Sequence, residues 1–245
     1  MPDGLRRAIS FLTICPLHSS SAWTPESLGQ SMVYYPLVGT LLGLCLWGLA
    51  ALLGLAFPSQ VVSVLLLAAS LVLTGGLHID GLSDTVDGLN GSYTREDALR
   101  IFKDPHVGSM AVAAVALVLL AKYACLSALA PERLGPALVL MGTLSRYAMV
   151  QLACFSFYAR ASGGLGEPFV KGVRPAHHRS ALLLALASVV LFGRFRGLLI
   201  GALIVLSTAG IQAYARRRLG GITGDVLGAT NECSELLVLL LMTSL

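Results

Sequence analysis

Between residues 33 and 77 the chain carries no charged side chain. That run of 45 residues is about twice the roughly 20 a helix needs to cross a hydrocarbon core. It reads as two membrane spans, at about 33–56 and 59–77, divided by Pro58-Ser59. Composition points the same way. Of 245 residues, 56% are hydrophobic and 12% charged, against roughly 25% charged in an ordinary soluble chain. So few charges cannot dress the surface of a soluble domain with this much apolar material to bury. A disordered chain, a disulfide-stapled mini-protein and a conventional soluble enzyme are excluded. The expected fold is an all-α, polytopic transmembrane helix bundle.

Further apolar segments lie at about 107–124, 135–154, 180–193, 197–215 and 226–245, giving about seven spans. The shortest, 180–193, is 14 residues, or about 21 Å of helix. Charge placement supports seven. The N-terminus and the connections 78–106, 155–179 and 216–225 then share one side, with 12 Arg and Lys against 3 on the other. Merging 180–215 into one span lowers the split to 9 against 4 and strands two arginines in hydrocarbon. The positive-inside rule therefore places the N-terminus and those connections in the cytoplasm. Arg6-Arg7 and the short apolar stretch after them resemble a signal peptide, but Pro16 and His18 follow at once, so a short N-terminal interfacial helix is expected. Residues 1–245 read as a single membrane domain. The five cysteines are scattered without metal-ligand spacing, which supports neither zinc nor a disulfide framework. The net charge of +4 comes from basic residues punctuating apolar runs rather than forming a face, so no nucleic-acid partner is expected. Membrane lipid is the expected surround, and self-association into a homo-oligomer is left open.

The acids carry the chemistry. Asp80, Asp84 and Asp87 follow the second span at i, i+4, i+7, within about 60° of one helix face. Three like charges so stacked need a cation or protonation. An oxygen-rich trio at a span mouth suits Mg²⁺, which completes its shell with water and phosphate oxygens. Asp225 and Glu232, again seven apart, open the last span, and Glu235 is turned about 60° from Glu232. Carboxylates inside an apolar segment are costly unless they line a polar cavity, so the two acidic sets predict a two-metal or shared-metal site. Arg100, Lys103 and Asp104 after the trio, and Arg160 in the next connection, form the expected phosphate-binding set. His78, two residues before Asp80, is a candidate general base or a group orienting a ligand. His177-His178 reads as an interfacial polar pair, and Arg216–Arg218 as topogenic charge. No Walker A, GxSxG or HExxH motif occurs. The chemistry pointed to is transfer from a diphosphate-activated donor.

At these residues the sequence resembles the cobalamin (5′-phosphate) synthase family. The resemblance is carried by Phe11-Leu12-Thr13 before Pro16, by GGLHIDGLSDTVDGLNG at Gly75–Gly91, and by Lys103-Asp104 with Gly108. Tyr158-Ala159-Arg160 with Gly164-Leu165-Gly166, and GGITGDVLGATNECSE at Gly220–Glu235, complete it. Phe102 stands where the family usually has Met, and Pro105 directly follows Asp104. The resemblance implies a bacterial inner-membrane, Mg²⁺-dependent phosphotransferase of the EC 2.7.8 type. It would join adenosylcobinamide-GDP to α-ribazole, or its 5′-phosphate, and release GMP. It also implies that Asp80, Asp84 and Asp87 hold metal, with Asp225 and Glu232 completing the shell or activating the acceptor hydroxyl, and that Lys103 and Arg160 clamp phosphate. Two other membrane transferases use Asp-rich helices. CDP-alcohol phosphotransferases expect Ala-Arg where this chain has Ser83-Asp84, and intramembrane prenyltransferases expect a second Asp-rich motif where it has Asp225 and two Glu. A cation-coupled transporter expects its acids near mid-span, whereas most here lie at one mouth.

Overall fold

The computed structural model describes residues 1–18, 22–102 and 104–244. Among them the secondary structure is helical, apart from one isolated bridge between Tyr158 and Ile222. Helix α1 (Asp3–Leu12) is amphipathic, burying Arg7, Ala8 and Leu12. Helix α2 (Pro25–Ser31) is capped by Thr24, whose hydroxyl accepts from the Ser27 N–H at 3.2 Å. A 3₁₀ turn leads from it into α3 (Tyr35–Leu53). Then follow α4 (Ser59–Thr74), α5 (Leu77–Asn90), α6 (Arg95–Ile101), α7 (Ser109–Ala128), α8 (Pro131–Cys154), α9 (Glu167–Gly172), α10 (Pro175–Ser188), α11 (Arg194–Leu219) and α12 (Gly224–Ser244).

Helix α8 is the axis of the bundle. It packs against α3, α10, α11 and α12, and its side chains from Ala137 to Ala153 are buried. Small residues set how closely its neighbours approach. Gly39 on α3 faces Gly142 on α8, and a Cβ on either would run into the other's backbone. Beside that contact the Thr40 and Thr143 hydroxyls lie 2.8 Å apart, with Ser188 of α10 at 2.9 Å from Thr40. Such close backbone approach plus hydroxyl bonding is how helices associate where lipid offers no hydrophobic drive. Gly39→Val is expected to push α3 off α8, an overpacking cost of about 1–3 kcal/mol. Its measure is a lower midpoint of thermal unfolding in detergent, read by size-exclusion after heating.

By length and composition, five helical stretches qualify as spans: 25–53, 109–128, 131–154, 175–219 and 224–244. The pair α4 and α5 makes a sixth if taken together, although it bends by 89°. The charge pattern predicts seven, and the difference lies in 175–219. As one straight rod its 45 residues would reach about 67 Å, twice a bilayer core. It instead folds back. His178 on α10 lies 3.0 Å from the Tyr147 hydroxyl and edge-on to Phe155, while Gln212 on α11 donates to the Phe155 carbonyl. At the far end Gly193 and Gly197 both lie against Leu140. The chain thus climbs α8 in α10, loosens into a π turn at Val189–Gly193, reverses at Arg194 (φ 51°), and descends in α11.

The second expected span is shorter than its hydropathy suggests. Helix α4 ends at Thr74 because Gly75 and Gly76 are both left-handed (φ 61° and 70°), a conformation open to glycine at no Cβ cost. Those two residues turn the chain by 89° into α5, which leaves the span direction and carries the Asp trio across the end of the bundle.

Candidate active site

Four connections meet at that end. Ile222 donates to the Phe157 carbonyl and accepts from the Ala159 N–H, both at 2.8 Å, pinning the strand-like 157–159 segment to the entry of α12. Arg95 donates to the Ala159 carbonyl (3.0 Å), and Arg218 to those of Leu89 and Ser92 (3.2 and 3.0 Å). Helix α1 reaches the same place, with the Phe11 ring 4.3 Å from that of Phe169 on α9.

Helices α5 and α12 touch backbone to backbone. A Cβ at Gly81 would stand 2.8 Å from the Asp225 carbonyl, and one at Gly228 would stand 3.2 Å from the Cα of Gly81. The glycines of the two acidic motifs are therefore facing partners. Their contact brings Asp80 and Asp225 to the rim of one cavity, which His78 also lines. Asp84 feels the convergence. Partial burial first, then the charges of Asp80 and Asp225, push its carboxyl up to about 6, with Arg160 pulling the other way. A carboxyl held back from ionising by its like-charged neighbours is what a bound cation relieves.

Arg160 is the nearest counter-charge. Its Nη2 donates to Asp225 Oδ2 at 2.8 Å, its guanidinium lies over the Phe102 ring at 5.5 Å, and its buried Nε has no partner. Thr223 donates to the same Asp225 Oδ2 at 3.1 Å. Asp225 is thus held by its Oδ2, and Arg160 keeps a buried donor in reserve.

Other expected site residues are placed differently. Asp87 Oδ2 accepts the Gly108 N–H at 2.6 Å, closing the 91–108 connection onto α5 just where α7 begins. Arg100 pairs with Asp97 on the exposed face of α6 at 2.9 Å. Asp104 accepts from the backbone and ring of His106, which hold its exposed carboxyl below the usual range. Neither Arg100 nor Asp104 contacts the acidic group in this arrangement. Lys103 lies outside the described residues. The trio is also no ready-made chelate: among the described residues no three His, Cys, Asp or Glu side chains gather closely enough to hold one ion. The reason is helical rise. Seven residues span about 10 Å along the axis, so Asp80 and Asp87 share a face without sharing an ion.

Glu232 departs furthest from expectation. It lies two turns deeper on α12 than Asp225, is 5% exposed, and its Oε2 sits 2.7 Å from Lys122 Nζ of α7. Lys122 also reaches Glu235 Oε2 at 2.7 Å, and Glu235 Oε1 pairs with Arg146 of α8 and accepts from Asn231 at 3.0 Å. Two acids and two bases thus form a buried, charge-balanced quartet beneath the site rather than an extension of it. Lys122 and Arg146 lie within the apolar segments 107–124 and 135–154 and belong to no expected site. The signal that could have found them is arithmetic: two cations and two glutamates stranded in apolar segments must pair.

Fold and site together define a polytopic membrane protein with an acidic, partly open cavity at one end of its bundle. Residues 4–243 match the family described as cobalamin-5-phosphate synthase, and the chain belongs to that family. Relatives of similar length are named adenosylcobinamide-GDP ribazoletransferase. The protein of Syntrophobacter fumaroxidans is 40% identical over 95% of this chain and 94% of its own. That of Pseudomonas fluorescens is also 40% identical, over 95% and 96%, and that of Acetivibrio thermocellus is 35% identical, over 95% and 94%. No solved structure matches the chain.

Proposed function

We propose that this protein joins adenosylcobinamide-GDP to α-ribazole, or its 5′-phosphate, giving adenosylcobalamin, or its 5′-phosphate, and GMP. The family and the relatives' name support the reading, and one observation carries it to these residues: the two glycine-flanked acidic motifs meet at one cavity with Arg160 clasped to Asp225. The ribose hydroxyl of the acceptor attacks the corrinoid-side phosphorus of the donor. The P–O bond to GMP breaks as the new P–O bond forms, and GMP carries away the electron pair.

The side chains of Asp80, Asp84 and Asp225 supply the candidate oxygens, of which Mg²⁺ would take one or two and fill the rest of its shell with phosphate and water. Bound there, it would neutralise the diphosphate and stabilise the leaving phosphate. Arg160 turns its spare Nε to a phosphate oxygen while Asp225 holds the guanidinium in plane. The acceptor hydroxyl's proton passes to a carboxylate oxygen of the acidic group, with Asp80, on the open rim, the nearest to solvent. The Asp87–Gly108 bond ties the start of α7 to α5. Orientation follows the charge bias: the site faces the cytoplasm across the bacterial inner membrane.

The test is donor-dependent GMP release by detergent-solubilised protein with Mg²⁺ and α-ribazole. No release would defeat the reading. Arg160→Lys keeps the charge but loses the planar fork. It is expected to lower kcat/KM about 10- to 100-fold, the worth of one charge-assisted hydrogen bond. The fall should appear with the donor varied.

A further inference from the structure

Beside the carboxylates the cavity changes character. Its walls are apolar and aromatic: Phe11 of α1, Met32, Tyr35 of α3 and Phe169 of α9 line it, and Asp80 and Asp225 stand at its rim. The three rings cluster, with Phe11 to Phe169 at 4.3 Å, Tyr35 to Phe169 at 6.2 Å and Phe11 to Tyr35 at 6.4 Å. Counting the part open to solvent, its empty space is about 610 Å³. Two buried polar groups on its lining are unused. The Tyr35 hydroxyl, on a residue 1% exposed, has no partner, nor has either ring nitrogen of His78, which is 2% exposed. Buried donors and acceptors normally find partners, so such a pair in a cavity wall points to a ligand with polar atoms of its own.

We propose that this cavity seats the aromatic base of the acceptor nucleoside, with its ribose directed at Asp80 and Asp225. The inference rests on the transferase reading above and adds the subsite. The wall chemistry chooses between the two bases the reaction brings. Guanine presents several donors and acceptors that apolar walls would leave unpaired, each at a cost. A fused, mostly apolar base such as a benzimidazole presents flat faces for the rings and one ring nitrogen for Tyr35 or His78. The same seating accounts for Phe11 in the Phe11-Leu12-Thr13 stretch, since α1 closes the cavity from the N-terminal side.

Two measurements test this. In wild-type enzyme, benzimidazole should inhibit GMP release competitively against α-ribazole and not against the corrinoid donor. Phe169→Leu, and Phe11→Leu as a second variant, should raise the KM for α-ribazole about tenfold, the scale of one lost base–aromatic stack. The donor's KM should stay within about twofold. Tyr35→Phe should raise the acceptor KM with little effect on kcat. Competition with the donor, competition by guanosine alone, or unchanged acceptor KM in both leucine variants would overturn the assignment. Saturation-transfer NMR of benzimidazole with the protein separates the two readings. Binding lost in Phe169→Leu supports the pocket even if GMP is never released; no binding to wild type defeats the pocket even if it is.

Discussion

Replacing Asp84 by Asn is expected to cut GMP release by about two to three orders of magnitude, the scale of losing one preorganised electrostatic contact to a transferring group. The helical bundle should remain intact. Asp84 is the middle member of the trio and the one whose carboxyl responds to Asp80, Asp225 and Asp87 together. Asn keeps the shape and removes the charge. Because it also relieves like-charge crowding, the variant should be at least as stable as the parent. Activity and stability therefore move in opposite directions, which a folding defect cannot imitate. Titrating Mg²⁺ sharpens the test: the variant should need more metal for half-maximal rate. Near-normal GMP release by folded Asp84→Asn enzyme would remove the metal assignment.

Glu235→Leu should instead destroy stability. The carboxylate bonds Arg146 through one oxygen and Lys122 through the other, and the three side chains are 2–4% exposed. Its loss leaves two cations facing one Glu232 in the apolar middle of the bundle. Breaking a buried pair from one side typically costs about 3–5 kcal/mol, because the uncompensated charge stays buried. The expected result is a thermal midpoint in detergent lower by roughly 10 °C or more, with little protein recovered in folded form. A double variant identifies the cause. Lys122→Met with Glu232→Gln removes one charge of each sign and leaves Arg146 paired with Glu235. It should be more stable than Glu232→Gln alone. Equal loss in single and double variants would mean that the quartet acts by packing and not by charge balance.

These two residues show where sequence reading stops. Asp225, Glu232 and Glu235 are read from the chain as acids of one helix, and periodicity puts Asp225 and Glu232 on one face. Periodicity gives direction around a helix axis. It does not say what stands opposite at each depth. At Asp225 the opposing elements are Gly81 of α5 and Arg160, so the carboxylate meets the cavity. Two turns deeper, Lys122 from α7 and Arg146 from α8 arrive instead, and the same face becomes a buried salt-bridge network. The Asp trio was legible as a group because spacing fixes both its arc and its rise of about 10 Å; what each member meets, Asp225 or the Gly108 N–H, depends on other segments.

The turn inside 175–219 divides in the same way. Arg194 and Arg196 signal that one continuous span would drown two charges, so two legs follow from the sequence. How those legs lie, climbing α8 from Phe155 and returning from Leu140, depends on which small residues let them close in. The aromatic cavity was invisible, because Phe11, Tyr35 and Phe169 come from three distant segments that only packing unites.

By itself, then, the sequence determined a helical chain built for hydrocarbon, its distribution of charge, and the two glycine-flanked acidic motifs, since all three depend on composition and local period. Tertiary structure alone decided which carboxylates meet a cavity and which meet a cation, because that depends on contacts between helices more than a hundred residues apart.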